Sequence, residues 1–430
     1  MELYVHIPFC VRKCRYCDFA SFASGRDTME EYVSLLLKEA EYRSIQLNRP
    51  AINTVYIGGG TPSVLPPDLM DRLLSGLFQY FEISPDAEIS VEANPGTVTP
   101  EWLDVCVAHG INRFSIGMQA SQDHILAMLG RIHRFEQVRD TVALLQSRGI
   151  HNYSLDLMFG LPGQRLDDWM ASVKSALSLH PVHLSCYGLI PEEDTPLKAD
   201  LDAGKLALPE PELERDMYYA MRDLLLENGY RQYEISNFAR PGYECRHNIG
   251  YWTQVPYLGL GLSAASMLNV NRDTRGIEYD RLTNPSIYTE YKTKVCSIKN
   301  KLWSDNAEHI TFEDARFETV MLGLRLTEGI SESEFSSLHG CTMESLWPDV
   351  LSSLVSRGLM MKSGDRWKLT DLGMDLQNSV LIEFMEYPSP FTLYPSSYPG
   401  AALLHLPPST LNPISLRSSA SPPFTLYPIS

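Results

Sequence analysis

The sequence predicts an α/β protein built on a partial (β/α)6 barrel of the TIM type. Short apolar segments alternate with helix-period segments through the first half of the chain. Glycine-rich and polar sequence directly follows the apolar segments, where the functional loops of parallel sheets lie. Six repeats are too few to close an eight-stranded barrel, so an open barrel fits best, with a doubly wound sheet as the alternative.

The elements of the barrel can be assigned in order. Six apolar segments are predicted strands: residues 3–7, 54–57, 88–93, 113–118, 153–158 and 183–188. Five amphipathic segments between them are predicted helices: residues 29–47, 66–81, 102–109, 135–145 and 166–179. Because helices separate the strands, the strands should lie parallel in one sheet.

The chain divides into four predicted parts. Residues 1–205 form the barrel, and residues 206–305 form a less regular extension with one clear helix at 212–228. Residues 306–385 show helical segments and then two short strand-like segments, which predicts a small winged-helix-like module. Such modules bind DNA or pack against a neighbour, and the acidic balance of the chain favours packing.

The fourth part, residues 386–430, differs in composition from the rest. It is rich in Pro and Ser, and Pro390-Phe-Thr-Leu-Tyr-Pro395 returns as a direct repeat at 423–428. Proline prevents both helices and strand ladders, so this tail is predicted to be disordered. It is either a docking segment or a dispensable extension, and its composition favours the second.

Charge and hydropathy exclude two classes of partner. The formal net charge of −17 argues against binding to nucleic acid, whose phosphates would be repelled. No run of about 18 apolar residues is present, so an integral membrane protein is not expected. The first predicted strand begins almost at once, with no basic and apolar leader before it, which predicts a cytoplasmic protein.

Three of the eight cysteines, Cys10, Cys14 and Cys17, lie in the loop after the first strand. Their spacing lets each thiolate ligate one iron of a cubane and leaves the fourth iron open to a small chelating molecule. The alternative is a zinc site of three cysteines and a further ligand such as His6. Three basic residues of the loop should favour thiolates and offset the charge of a cluster: Arg12, Lys13 and Arg15.

The later strand ends carry residues suited to ligand binding. Gly58-Gly59-Gly60-Thr61 follows the second strand, and glycine lets the backbone approach a ligand closely. Four polar residues lie at the ends of later strands: Glu92, Gln119, Arg131 and Asp156. For any one of them a structural hydrogen bond explains its presence as well as contact with a ligand does. Because they occur at successive strand ends, a shared ligand is the better explanation for the set.

The C-x-x-x-C-x-x-C spacing in this position resembles the motif of the radical S-adenosylmethionine (SAM) superfamily, and the resemblance covers roughly residues 1–385. It implies a barrel of the radical SAM type, a [4Fe–4S] cluster on Cys10, Cys14 and Cys17, and bound SAM. In that superfamily one electron passes from the cluster to the sulfonium and releases methionine and a 5′-deoxyadenosyl radical. Resemblance to the coproporphyrinogen dehydrogenase-like branch implies these residues around SAM: Tyr4, Tyr16, Gly59, Gly60, Thr61, Glu92, Gln119, Arg131, Asp156 and Gly188.

Two features separate the chain from the dehydrogenases of that branch. Only nine residues precede Cys10, and Phe19 stands where the dehydrogenases have a fourth cysteine. The chain instead resembles the haem chaperones of the branch, which bind haem and deliver it to acceptor haemoproteins, with membrane-associated respiratory proteins as candidate acceptors. The alternative is an enzyme that decarboxylates the propionates of coproporphyrinogen III to give protoporphyrinogen IX, and whether the chain is an enzyme stays open.

A second motif agrees with this resemblance. Arg246-His247-Asn248-Ile-Gly-Tyr251-Trp252 matches the H-N-x-x-Y-W pattern of the haem chaperones. His247 is a candidate haem ligand, because a neutral imidazole can bind haem iron. The alternative, which the residues favour for axial ligation, is that His247 fixes a loop. The remaining cysteines are expected to be structural: Cys106, Cys186, Cys245, Cys296 and Cys341.

Overall fold

The structure is a computed structural model that describes residues 1–298 and 307–386. Beyond Glu386, the tail predicted at 386–430 lies outside the described residues. The domain boundaries proposed at residues 205 and 305 stay predictions.

Six parallel strands form the centre of the main sheet, in the order in which they occur along the chain. Sequential parallel order is that of a barrel, whereas a doubly wound sheet reverses direction part-way. The predicted partial (β/α)6 barrel is therefore confirmed and the doubly wound alternative was wrong. The strands are β1 (Glu2–Ile7), β2 (Ala51–Gly59), β3 (Glu82–Ala93), β4 (Arg113–Gln119), β5 (Tyr153–Phe159) and β6 (His183–Gly188).

Six helices connect these strands and cover the outside of the barrel. They are α1 (Arg26–Gln46), α2 (Pro67–Tyr80), α3 (Pro100–Ala108), α4 (Asp123–Met128), α5 (Phe135–Ser147) and α6 (Leu166–Leu177). Sequence periodicity missed α4, because six residues contain fewer than two turns. The alternation of β1 shows how the layers are built: Leu3, Val5 and Ile7 are fully buried, while Tyr4 and His6 occupy the other face.

The described part of the main sheet has twelve strands, six more than predicted. Beside β6 lie two short antiparallel strands, β7 (Arg231–Gln232) and β8 (Asn237–Ala239). Beside β1 lies a parallel strand, β9 (Tyr257–Leu260), and three antiparallel strands follow it: β10 (Ala265–Asp273), β11 (Gly276–Thr283) and β12 (Ala307–Ile310). Most of these strands are short or polar, so they lack the apolar run that reveals a buried strand. The same region contains α7 (Pro196–Asp202), α8 (Pro211–Glu227), α9 (Arg246–Trp252) and α10 (Tyr288–Ser297).

The C-terminal module combines six helices with a small antiparallel sheet, in agreement with the predicted winged-helix-like order. The helices are α11 (Phe312–Gly323), α12 (Glu332–His339), α13 (Met343–Leu346), α14 (Pro348–Ser356), α15 (Asp371–Asp375) and α16 (Gln377–Glu386). The strands are β13 (Ile330–Ser331), β14 (Met360–Ser363) and β15 (Arg366–Leu369). One predicted helix is broken in two at Pro348, because proline disfavours helical geometry in the residue before it.

The module packs on the extension through buried carboxylates. Glu318 of α11 accepts from Arg281 of β11 at 2.6 Å, and Glu234 pairs with Arg325 at 3.5 Å. Both carboxylates are almost fully buried, so each needs its charged partner. Among the helices in the described ranges, none is long and apolar enough to cross a membrane.

We predict that Gly259→Ala destabilises the fold. A Cβ at Gly259 would overlap the carbonyl oxygen of Ala265, because β9 lies tightly between β1 and β10. Such overpacking should lower the free energy of unfolding by about 1–3 kcal/mol, seen as an earlier midpoint in urea. The control is Gly25→Ala, whose Cβ would meet nothing within 4 Å and should change stability by less than about 0.5 kcal/mol. Equal midpoints for the two variants would contradict this packing.

Candidate functional site

The loop that carries the three cysteines lies at the carboxyl end of β1 and is closed at its base. Phe9 and Phe22 form a parallel bridge. The Cys10 N–H donates to the Phe22 carbonyl at 3.1 Å, and the Phe22 N–H donates to the Pro8 carbonyl at 2.8 Å. Residues 10–22 therefore form a compact loop, and its three thiols are partly exposed and free of disulfides.

A chain of hydrogen bonds joins two of the thiols across the neighbouring strand ends. The Thr61 hydroxyl lies 3.6 Å from the Cys10 sulfur and accepts from the Asn94 amide at 2.7 Å. Arg131 donates to the Asn94 side chain, to the Gly117 carbonyl at 2.8 Å, and to the Cys14 sulfur at 3.5 Å. Residues that follow β1, β2, β3 and β4 are thus fixed relative to each other.

The basic residues of the loop have separate partners. Arg15 forms an ion pair with Asp200, so its charge is largely neutralised. Arg12 donates to the Gly130 carbonyl at 2.9 Å, and Lys13 donates to the Phe19 carbonyl at 2.8 Å. The contacts of Arg12 and Arg15 fasten the loop to the rest of the barrel, whereas the contact of Lys13 lies within the loop.

Cys10 and Cys17 do not carry the low pKa values that the basic residues of the loop would give them. Burial raises the pKa of Cys17 to about 12, and it also raises the pKa of Cys10. The basic residues are therefore outweighed by desolvation, contrary to the expectation from sequence. Thiols of this kind lose their protons when they bind metal, because the metal charge stabilises the thiolate.

His6 is not free to be the fourth ligand of the zinc alternative. His6 hydrogen-bonds to the Ala20 carbonyl through Nε2 at 3.0 Å and to the Tyr4 hydroxyl through Nδ1 at 3.0 Å. Both ring nitrogens are therefore engaged. Within residues 1–298 and 307–386, no three His, Cys, Asp or Glu side chains converge as ligands of one ion. A cubane has a different requirement, because each thiolate ligates a separate iron.

The glycine loop after β2 is shaped by close contacts. Gly59 adopts a φ of +111°, a conformation that side chains disfavour, and its N–H donates to the Glu92 carboxylate at 3.0 Å. A Cβ on Gly60 would lie 2.8 Å from the Phe9 carbonyl oxygen. The two glycines therefore allow the loop to lie against β1 and bring its backbone beside Glu92.

The other predicted SAM residues lie at different depths in the barrel. Tyr16 belongs to the cysteine loop and lies beside Arg131. Gln119 and Gly188 end β4 and β6, and both are half-buried. Gln119 has a φ of +62°, which is a strained conformation for this residue type and typical of functional sites.

Two of the predicted residues lie below the rim. Tyr4 is in the middle of β1, where its ring stacks on Tyr56 at 6.4 Å. Asp156 is in the middle of β5, where its carboxylate accepts from Ser115 at 2.9 Å and from Ser154 at 3.2 Å. Burial raises the pKa of Asp156. Sequence reasoning missed Asn94, which links Thr61 to Arg131, although its position after β3 could have revealed it.

His247 lies at the opposite end of the barrel from the cysteines. Its ring is fully buried and stacks on Tyr56 with centroids 5.2 Å apart. One ring nitrogen hydrogen-bonds with Thr54 at 2.7 Å and the other with Tyr251 at 3.0 Å. Burial lowers the pKa of His247 to about 3, so the ring is neutral. The structure does not bring His247 together with the cysteine loop.

The helix that carries His247 closes the floor of the barrel. Glu88 of β3 accepts from the N–H groups of Arg246 and His247 at 3.1 Å, at the start of α9. A negative charge is favourable there, because the first N–H groups of a helix are unpaired. Gly250 faces Glu2 so closely that a side chain would not fit. The H-N-x-x-Y-W motif therefore seals the amino ends of the strands.

Comparison with known proteins agrees with this geometry. Residues 4–176 match the model of the radical SAM superfamily, and residues 310–376 match that of the HemN C-terminal domain. The chain is 39% identical to heme chaperone HemW of Synechocystis over 78% of this chain and 80% of that protein. It is 34% identical to heme chaperone HemW of Bacillus subtilis, over 89% of this chain and 98% of that protein. The chain belongs to the HemW family.

The chain is also 33% identical to heme chaperone HemW of Escherichia coli, over 90% of this chain and 98% of that protein. Among solved structures, coproporphyrinogen III oxidase (HemN) of Escherichia coli, described as a radical SAM enzyme, superposes with a TM-score of 0.76. The two chains are 24% identical, and 90% of each is covered. At that identity the likeness shows that the HemW-family chain shares the HemN fold.

We predict that His247→Ala destabilises the protein, because it leaves a cavity in the barrel floor and removes the hydrogen bonds of His247 with Thr54 and Tyr251. The free energy of unfolding should fall by about 2–4 kcal/mol, measured by urea denaturation. The matched control is His151→Ala at an exposed position, which should be nearly neutral. Unchanged stability of the His247 variant would mean that α9 does not seal the floor.

Proposed function

We propose that the protein is a haem chaperone that binds haem and delivers it to acceptor haemoproteins. In this proposal Cys10, Cys14 and Cys17 hold a [4Fe–4S] cluster, whose fourth iron binds SAM. The observation that carries the proposal is the closed loop of three thiols at the strand ends. Membership of the HemW family supports it, since the relatives from Synechocystis, Bacillus subtilis and Escherichia coli are named heme chaperones.

The residues around the thiols suit a cluster. Thr61 and Arg131 already point hydrogen-bond donors at the sulfurs of Cys10 and Cys14. Hydrogen bonds to sulfur help to set the reduction potential of iron–sulfur clusters, so these two residues would tune it. One-electron reduction of the sulfonium of SAM is the chemistry that such a cluster supplies when bound.

The strand ends suit SAM as the second ligand. Gly59 and Gly60 bring the backbone at the end of β2 close to β1 and to Glu92, whose carboxylate is suited to an ammonium group. Gln119 would be held towards the ligand by its strained backbone. We assign the pocket to the residues predicted from the sequence: Tyr4, Tyr16, Gly59, Gly60, Thr61, Glu92, Gln119, Arg131, Asp156 and Gly188.

We assign His247 to the barrel floor and not to haem iron. Both of its ring nitrogens are hydrogen-bonded, and the ring has no exposed surface. An axial ligand needs a free nitrogen and access to the cofactor. Haem binding should therefore rest on other residues of the chain.

The partners of the proposal are haem and haemoproteins that accept it, including respiratory proteins attached to membranes. A cytoplasmic location suits the three free thiols, because a reducing compartment keeps them available for iron. The net charge of −17 is consistent with a protein partner that carries a basic surface.

Replacement of Cys10, Cys14 and Cys17 together by alanine should abolish the broad visible absorbance of the anaerobically reconstituted protein. Iron and sulfide should be lost with it, because the ligands of the cluster are gone. The matched control is Cys296→Ala, which removes an exposed cysteine far along the chain and should leave iron and sulfide unchanged. Iron and sulfide retained by the triple variant would show that other residues hold the metal.

Two experiments distinguish a haem chaperone from a coproporphyrinogen dehydrogenase. Titration of the reconstituted protein with haemin should give a shifted Soret band that saturates near one haem per chain. Anaerobic incubation with coproporphyrinogen III, SAM and a reductant should yield no protoporphyrinogen, because Phe19 replaces the additional cysteine of the dehydrogenases. Formation of protoporphyrinogen would favour the enzyme, and the absence of a Soret shift would remove the basis for the chaperone.

A further inference from the structure

His6 lies where three loops of the carboxyl end of the barrel meet. It is buried near the end of β1, and a Cβ on Gly59 would lie 2.5 Å from its ring. Its carbonyl oxygen accepts from the Tyr32 hydroxyl at 2.7 Å, and a Cβ on Gly261 would come within 2.8 Å of that oxygen. His6 therefore lies against the glycine loop after β2 and the loop after β9, as well as the cysteine loop.

The two hydrogen bonds of the His6 ring have a fixed direction. A carbonyl oxygen only accepts, so Nε2 carries the hydrogen and donates to the Ala20 carbonyl at 3.0 Å. Burial lowers the pKa of His6 to about 4, so the ring is neutral and Nδ1 carries no hydrogen. Nδ1 therefore accepts from the Tyr4 hydroxyl at 3.0 Å.

The direction of these bonds decides what Tyr4 can offer a ligand. A tyrosine hydroxyl has a single hydrogen, and Tyr4 gives it to His6. Only oxygen lone pairs remain, so the hydroxyl can accept from a ligand but cannot donate to it. An ammonium group suits such an oxygen, whereas a carboxylate would find no donor there. Glu92, whose charge acts on Tyr4, adds a second acceptor of the same preference.

The other bond of His6 holds the end of the cysteine loop. Ala20 lies in the loop two residues before Phe22, whose N–H and carbonyl groups close the loop at its base. The carbonyl of Ala20 is thereby tied to the barrel strand β1. Because one rigid ring makes both bonds, a displacement of the loop at Ala20 also moves the nitrogen that accepts from Tyr4.

We propose that His6 is a positioning residue that couples the cysteine loop to the SAM pocket. It holds the loop end through Ala20 and turns the Tyr4 hydroxyl so that its lone pairs serve a cationic ligand. The proposal rests on the function proposed above, because it takes the loop as the holder of the cluster and Tyr4 as a contact of SAM. Both ring nitrogens of His6 are engaged by protein groups, so its effect on SAM is indirect.

Two amide side chains separate the two bonds of His6. In His6→Gln the amide nitrogen takes the place of Nε2 and can donate to Ala20, but no group replaces Nδ1. In His6→Asn the amide oxygen takes the place of Nδ1 and can accept from Tyr4, but no group reaches Ala20. The matched control is His151→Gln at an exposed position, which should behave as wild type in both measurements.

The affinity for SAM is measured by anaerobic equilibrium dialysis of the reconstituted full chain. The hold of the loop is measured by the rate at which a chelator bleaches the visible absorbance of the cluster. His6→Gln should weaken SAM binding about three- to tenfold, as expected for the loss of one hydrogen bond, and should bleach within about twofold of the wild-type rate. His6→Asn should bind SAM within about twofold of wild type and bleach at least about threefold faster.

Tyr4→Phe adds a measurement that a space-filling role of His6 would not affect. Loss of the hydroxyl should weaken SAM binding about three- to tenfold in the wild type and in His6→Asn, where the hydroxyl is still oriented. In His6→Gln it should have little further effect, because the hydroxyl has already lost its acceptor. An equal effect of Tyr4→Phe in the two His6 backgrounds would overturn the inference.

Hydrogen exchange decides the question if neither His6 variant folds. Saturating SAM should slow amide exchange of residues 18–22 in the reconstituted wild type, and clearly less so in Tyr4→Phe, because the path through His6 to Ala20 is broken. Equal slowing in the two proteins would overturn the coupling while leaving the chaperone function standing. A wild-type protein that retains no iron and sulfide would instead refute the proposed cluster itself.

Discussion

The carboxyl end of the barrel depends on the hydrogen-bond chain that runs from Cys10 through Thr61, Asn94 and Arg131 to Cys14. Cys10 and Cys14 belong to the loop after β1, whereas Thr61, Asn94 and Arg131 follow β2, β3 and β4, so the hydrogen bonds fix the spacing of four neighbouring loops. A short loop with protonated, partly buried thiols has little order of its own. The surrounding barrel supplies that order, which is why the cysteine loop would be ready for a cluster before iron arrives.

The two ends of the same strands have opposite roles. At the carboxyl end lie the partly exposed thiols and half-buried polar groups such as Gln119. At the amino end, His247, Glu88 and Gly250 fill the barrel so closely that hardly any surface remains. This division is general in parallel barrels, where the amino ends of the strands stabilise the fold and the loops at their carboxyl ends bind ligands. The cysteine motif and the H-N-x-x-Y-W motif, both prominent in the sequence, therefore lie at opposite ends of the barrel.

Much of the fold could be predicted from the sequence, because parallel strands buried on both faces show as continuous apolar runs. The strands from β1 to β6 each have that signal, and their observed bounds differ from prediction mainly at the ends. The strand β9 does not, since its four residues include a glycine and it is a strand through its pairing with β1 and β10. Local pattern carries no information on such long-range pairing.

For the site, sequence placed the three cysteines correctly after β1, whereas the glycine segment predicted to follow β2 begins within it, because β2 extends to Gly59. It could not show that His6 is held by Tyr4 and Ala20, or that Asn94 links two loops, because both facts depend on contacts across strands. It also overestimated the effect of the basic residues on the thiols. Burial is a property of the folded chain, and here it outweighs neighbouring charge.

The pairing of β1 with β9 has a consequence for synthesis. Glu2 lies opposite Tyr257, so β1 gains its neighbour β9 only after some 250 further residues have been made. Contacts of such high sequence separation form late in folding. Until then the thiols follow a strand with one unpaired edge. The loop of the three cysteines therefore reaches its final surroundings only after β9 has been made and has paired with β1.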